Sequence, residues 1–125
     1  MKKKVLYFGN ETVPSDRAAI EAVNRIEESL PGIDFIHCNS PEDIMRYGGE
    51  DFFVLDVARG IKKITIFSNP DLIKERKINS LHDFDLGFFL KLLKKLKENE
   101  FRVIAIPQEK NCDQELTNIL KSYEI

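Results

Sequence analysis

The 125-residue sequence contains only two cysteines, Cys38 and Cys112, and neither belongs to a C-x-x-C pair. A disulfide framework or a structural zinc site needs several suitably spaced cysteines, so we expect neither, and two packed free thiols are the simpler interpretation. The glycine-rich motifs G-x-G-x-x-G and G-x-x-x-x-G-K-[ST] are also absent. Nucleotide binding at the Gly9-Asn10 loop therefore has little support.

Charge of one sign and long apolar runs are lacking as well. The 19 basic and 21 acidic residues are mixed along the chain and give a net charge of −2. Without a basic stripe, a nucleic-acid partner is not expected. The apolar run after Lys4 ends at Gly9, which is too short for a signal-peptide core or a membrane span. We expect a soluble, cytoplasmic, monomeric protein with one domain, residues 1–125, and no membrane partner.

Apolar runs that end at glycine, proline or polar residues predict strands, and periodic stripes between them predict helices. One helix is expected from an N-cap at Ser15 to about Leu30, and a short one begins at Ser40-Pro41, where a capping serine precedes proline. Two later helices are expected over residues 83–99 and 113–123. The five predicted strands cover residues 3–8, 34–38, 51–56, 63–68 and 101–107.

Alternation of strands and helices predicts the α/β class, as a three-layer α/β/α domain around a five-stranded, mostly parallel sheet. A strand order that begins 2-1-3 is common for this element pattern, and ligands bind beyond the carboxyl ends of such strands where the order reverses. Asp16 follows the first strand and Asp56 is expected to end the third. Both aspartates are therefore expected at one crevice.

His82 precedes the helix predicted at residues 83–99 and completes a candidate site with Asp16 and Asp56. Each residue has a plainer interpretation: a helix-dipole acid for Asp16, a buried hydrogen-bonded carboxylate for Asp56, and a solvated loop histidine for His82. Together, two carboxylates and an imidazole suit nickel, zinc, manganese or iron and leave positions open for water or substrate. Such a metal supports hydrolytic chemistry. His37 and Glu11 are further candidates for the same crevice, although a surface position is the simpler interpretation of both.

Several segments match one family in the right order. Gly9-Asn10 leads to Ser15-Asp16, FFVLDV ends its apolar run at Asp56, and Ser80-Leu81-His82 precedes a long predicted helix. The turn CNSPEDI from Cys38 and the segment VIAIPQE up to Glu109 also fit. In these features the chain resembles the hydrogenase maturation proteases, which remove a C-terminal peptide from the large-subunit precursor of nickel–iron hydrogenases.

The resemblance implies an endopeptidase whose partner is the hydrogenase large-subunit precursor. Asp16, Asp56 and His82 would contact the nickel that the precursor already carries, so that the metal is supplied by the substrate and other divalent metals can substitute for it. The nickel would serve in recognition and as a candidate activator of the water that cleaves the peptide bond.

Three positions depart from the family pattern. Ser15 stands in place of the first acid of the pair, Arg17 stands where glycine is common, and Asn39 lies in a turn that is normally rich in glycine. These departures keep open a non-catalytic relative that binds a metal-loaded partner. A receiver-like signalling domain is a second alternative, because Asp56 would end strand 3 and Ser68 and Lys110 would lie near later strand ends; the acidic pair expected after strand 1 is replaced by Gly9-Asn10.

Overall fold

The chain forms one mixed β-sheet with helices packed against it. The structure, a computed structural model, describes residues 3–9, 12, 17–59, 61–67, 79–80, 101–108 and 110–122. Two α-helices are present in these ranges, α1 (Ala18–Ile26) and α2 (Asp113–Ser122), together with 3₁₀ helices at Glu27–Ser29 and Pro41–Tyr47. The strands are β1 (Lys3–Phe8), β2 (Ile33–Cys38), β3 (Phe52–Arg59), β4 (Thr65–Phe67), β5 (Asn79–Ser80) and β6 (Phe101–Pro107).

The sheet has the order β2-β1-β3-β6-β4, and its first four strands in this order are parallel. β4 pairs antiparallel with β6, and β5 pairs antiparallel with the end of β3. The pairing of β1 with β3 runs only to Tyr7 and Leu55, whereas β6 accompanies β3 as far as Ala58. A strand has two pairing edges, so β5 occupies the edge of β3 that β1 leaves after Leu55.

Two apolar clusters cover the two faces of the sheet, because successive side chains of a strand point to opposite faces. On one face α1 and α2 pack against alternate residues of the parallel strands; this cluster contains Val5, Ala19, Ala22, Val23, Ile26, Leu30, Phe53, Leu55, Val57, Ile104, Ile106, Leu116 and Leu120. On the other face the 3₁₀ helix Pro41–Tyr47 contributes Ile44 to a cluster that contains Leu6, Phe8, Cys38, Phe52, Val54, Ala58, Phe101, Val103 and Ala105.

The α/β class, the mixed sheet and the strand order beginning 2-1-3 confirm the sequence-based expectation. β1 and β6 have the predicted bounds, and β5 is an additional strand. The prediction for α1 was wrong at its start: the helix begins at Ala18, and Arg17 occupies the N-cap position without a side-chain hydrogen bond. Ser15 and the helix predicted at residues 83–99 lie outside the described residues.

The predicted short helix at Pro41 is present as a 3₁₀ helix. The carboxylate of Asp43 accepts hydrogen bonds from the backbone N–H groups of Asn39, at 2.9 Å, and Ser40, at 3.2 Å. These bonds satisfy donors that the start of a helix leaves without backbone partners, so the local sequence determines where this helix begins. Within the described part of the chain, no helix has the length and apolar character that crossing a membrane requires.

Candidate functional site

Asp56 lies inside β3 rather than at its end, which corrects the sequence-based placement. The strand continues to Arg59, because β6 pairs with it through Ala58 and β5 pairs with Ala58 and Arg59. Asp56 is the first residue of β3 beyond its pairing with β1 and lies opposite Ala105 of β6. It is therefore still at the carboxyl end of the β1–β3 pair, the region in which α/β sheets bind ligands.

The side chain of Asp56 is buried, with 2 % of the residue exposed. By alternation along β3 it shares the sheet face of Val54 and Ala58, opposite to the face that α1 covers. Its Oδ1 accepts a hydrogen bond from the backbone N–H of Val57 at 2.8 Å. A buried carboxylate requires hydrogen bonds or a cation. Apolar packing therefore does not account for a carboxylate at this position among apolar neighbours.

β5 brings a distant segment of the chain to the same end of the sheet. Ser80 pairs with Ala58, two residues after Asp56 along β3, and Asn79 pairs with Arg59. In the sequence, Ser80 opens the Ser-x-His segment that ends at His82. A strand of two residues is too short to show hydrophobic periodicity, so this pairing could not be predicted from the sequence.

Asp16, His82 and Glu11 lie outside the described residues, so their positions relative to Asp56 stay predictions. Among the residues that the structure describes, no group of three or more histidine, cysteine, aspartate or glutamate side chains is arranged to hold a metal ion. Of the predicted site, the structure describes Asp56 alone.

His37 does not share the side of the sheet that Asp56 faces. It lies within β2 opposite Tyr7 of β1, on the face that α1 covers, and its side chain is exposed. The imidazole stacks on the Tyr7 ring, with centroids 5.1 Å apart and planes inclined by 20°. Its Nε2 lies 3.0 Å from the carbonyl oxygen of Gly9. A carbonyl oxygen only accepts hydrogen bonds, so Nε2 carries the hydrogen and is the donor of this bond.

The two cysteines are buried free thiols, as expected from the sequence. Burial raises the pKa of Cys38 from 9.0 to about 12, and burial also raises the pKa of Cys112. Because the thiolate is the nucleophilic form, neither group is suited to attack a substrate at neutral pH.

A groove of about 220 Å³ lies on the α1 face, between α1, the end of β6 and the start of α2. Arg25 and Asp113 both line it, and the Arg25 guanidinium donates hydrogen bonds to both carboxylate oxygens of Asp113, at 2.5 and 3.0 Å. Lys110 and Cys112 also line it, whereas Asp56 does not. The groove therefore does not include Asp56, the residue of the predicted metal site that the structure describes. No sequence motif pointed to the groove, because its walls come from two segments that are distant in the sequence, residues 18–25 and 106–116.

No model of a known protein family matches this sequence, and no curated protein matches it. Among solved structures, the chain is similar to an uncharacterized protein from Wolinella succinogenes. The identity is 21 %, the TM-score is 0.53, and the match covers 87 % of this chain and 77 % of that one. This similarity supports the α/β fold alone.

Proposed function

We propose that the protein is a cytoplasmic endopeptidase that removes the C-terminal extension of a nickel-loaded nickel–iron hydrogenase large-subunit precursor. In this proposal Asp16, Asp56 and His82 contact the nickel of the precursor. The observation that carries the proposal is the buried carboxylate of Asp56, which interrupts the apolar run from Phe52 to Ala58 at the carboxyl end of the β1–β3 pair.

The segments that carry the other two proposed ligands adjoin β3 in the sheet. β1 ends at Phe8, directly before the Gly9-Asn10 loop that leads to Asp16, and Ser80 of β5 precedes His82 by two residues. The two segments that carry the other proposed ligands thus begin beside β3 at the same end of the sheet. Two carboxylates and one imidazole are a suitable donor set for Ni²⁺ and leave positions for the precursor's own ligands and for water.

The proposed roles differ among the three residues. The carboxylates of Asp16 and Asp56 would neutralise part of the metal's charge, and the imidazole of His82 would supply a neutral nitrogen ligand. A metal in such a site lowers the pKa of bound water and polarises a carbonyl group. Cleavage would then require only that the peptide bond of the extension lies beside the precursor's own nickel.

The receiver-like alternative is less well supported. Flavodoxin-like receivers have the strand order 2-1-3-4-5, whereas here β6 lies between β3 and an antiparallel β4. The non-catalytic alternative, a relative that binds the metal-loaded precursor without cleaving it, is separated from the proposal by the experiment below.

The test is incubation of the purified protein with candidate large-subunit precursors, with and without inserted nickel, followed by intact-mass measurement. We expect loss of a C-terminal peptide only from the nickel-loaded precursor. Asp16→Ala, Asp56→Asn and His82→Ala should each reduce the cleavage rate by about 100-fold or more, since each removes a metal contact.

The matched control is Asp34→Asn, which removes an exposed carboxylate of β2 and should leave cleavage unchanged. Urea unfolding separates function from folding: Asn keeps an oxygen that can accept the Val57 hydrogen bond, and Asp56→Asn should still unfold in a single cooperative transition. Cleavage at the parent rate by all three site variants would refute the site. Stable binding of the nickel-loaded precursor without cleavage would instead support the non-catalytic alternative.

A further inference from the structure

We propose that the groove between α1 and α2 binds the free carboxylate at the end of a polypeptide chain, with the apolar side chain of the last residue on the groove floor. The choice of this ligand rests on the proposed function, in which the substrate ends in a C-terminal extension. The groove lies at the same end of the sheet as Asp56, because its strand residues Ile106 and Pro107 directly follow Ala105, the partner of Asp56 in β6.

The floor of the groove is apolar. Ala22, Ile106 and Leu116 line it, and all three are buried in the cluster beneath the two helices. The volume of about 220 Å³ is below the range of about 300 to 1,000 Å³ that is usual for pockets of drug-sized ligands. A single side chain with its terminal carboxylate therefore matches the groove better in size than a nucleotide or a large cofactor does.

The charges around this floor leave one cation without an anion. Two acids and two bases line the groove: Glu21, Asp113, Arg25 and Lys110. Asp113 is paired with Arg25, and the Oε1 atom of Glu21 lies 3.7 Å from the Nε atom of Arg17. Lys110 is exposed and has no ion-pair or hydrogen-bond partner among the described residues. The charge that the ligand must supply is therefore negative.

Asn111 adds a hydrogen-bond donor next to Lys110. Its Oδ1 accepts a hydrogen bond from the backbone N–H of Asp113 at 2.9 Å, so its NH₂ group is left to donate. α2 begins at Asp113, and the positive end of its dipole adjoins the groove. An ammonium and an amide NH₂ beside this helix start suit a carboxylate, because hydrogen bonds to a charged acceptor are stronger than those to a neutral amide.

N-acetyl-leucine and N-acetyl-leucinamide are the first probes, because they share an apolar side chain and differ in the carboxylate. In NMR titrations we expect the acid to shift the backbone amide signals of Ala22, Ile106 and Cys112 and to bind about three- to fivefold more tightly than the amide. This difference should be lost in 1 M NaCl, since Lys110 is exposed and salt screens its charge. Equal affinity for the acid and the amide, or no shifts at these residues, would overturn the proposal.

Lys110→Gln tests the ammonium, and Lys121→Gln is its matched control. Lys121 is exposed in the last turn of α2 and does not line the groove. Lys110→Gln should bind the acid about three- to fivefold more weakly and the amide as the parent does, whereas Lys121→Gln should match the parent with both probes. Both variants should keep the parent's midpoint in urea, because both side chains are exposed. Parent-like binding of the acid by Lys110→Gln would contradict the proposal.

The nickel-loaded precursor connects the groove with the proposed function. With this substrate Lys110→Gln should raise KM about three- to fivefold and leave kcat unchanged, because the groove holds the end of the extension rather than the bond that is cleaved. An unchanged KM would show that the extension does not end in the groove. If the parent cleaves no precursor, the proposed function fails, and the NMR titrations still decide whether the groove binds a carboxylate.

Discussion

Asp56 shows how one residue can depart from the pattern around it. Its neighbours on β3 are apolar and fully buried, including Val54, Leu55 and Val57, so burial of a carboxylate between them opposes the packing of this strand. The sequence identified Asp56 because an acid interrupts a buried apolar run. The sequence could not show that the strand continues to Arg59, since this depends on pairing with β5 and β6.

Cys38 gives a prediction for the stability at alkaline pH. In the folded protein burial raises its pKa from 9.0 to about 12, so above pH 9 the thiol ionises in the unfolded chain but stays protonated in the folded one. The stabilisation is complete below pH 9 and is lost as the pH rises toward about 12. We expect this residue to lower the unfolding free energy by about 1 kcal/mol for each pH unit above 9.5.

Urea unfolding of the parent and of Cys38→Ala between pH 8 and pH 10.5 measures this effect. The variant is less stable throughout, because a buried group is lost, but its stability should fall less steeply with pH. Cys112→Ala is the comparison variant: burial also raises the pKa of that thiol, so its stability should likewise fall less steeply with pH than that of the parent. Identical slopes for the parent and Cys38→Ala would contradict the prediction.

At the scale of elements, α1 and α2 lie side by side on one face of the sheet and are joined by the ion pair of Arg25 and Asp113. The hydrogen bond and charge of Asp113 raise the pKa of the Arg25 guanidinium. The Arg25 side chain is 45 % exposed, so water screens much of the attraction. A double-mutant cycle with Arg25→Met and Asp113→Asn should give a coupling energy of about 0.5 to 1 kcal/mol at low salt.

The pair of Arg17 and Glu21 is the comparison for this cycle. Arg17 is the residue directly before α1, and Glu21 lies in its first turn. The Arg17 Nε and Glu21 Oε1 atoms are 3.7 Å apart, and both side chains are exposed. Its coupling energy should be no more than about 0.5 kcal/mol. Both couplings should decrease in 1 M NaCl. A larger coupling for Arg17–Glu21 than for Arg25–Asp113 would show that the bidentate geometry does not contribute.

The elements that the sequence predicted well are those with strong local signals. β1 and β6 have continuous apolar runs with clear ends at Gly9 and Pro107, and Ser40-Pro41 marks the start of the 3₁₀ helix. Ser15 gave a false N-cap signal, because α1 begins at Ala18 without a side-chain cap. The antiparallel direction of β4 and the existence of β5 depend on tertiary pairing, which no local pattern encodes.

At the scale of the whole molecule, the two apolar clusters share the same strands. β1, β3 and β6 contribute alternate residues to both, so neither cluster can lose its packing without exposing the other side of the same strand. We therefore expect one cooperative unfolding transition. Far-ultraviolet circular dichroism and tyrosine fluorescence should give the same midpoint in urea. Two separated midpoints would show that the faces unfold independently.

The pairing of β5 with β3 also bears on how this protein can vary between relatives. Arg59 and Asn79 are partners, and β4 between them pairs with β6, so the chain from Phe67 to Asn79 begins and ends at fixed places in the sheet. Added or deleted residues between them change the entropy of closing a loop only slowly with length, by about 0.6 kcal/mol for each doubling. Relatives with the same chemistry can therefore differ widely in length here, while the spacing between Ser80 and Asp56 is preserved by the sheet rather than by the number of residues that separates them.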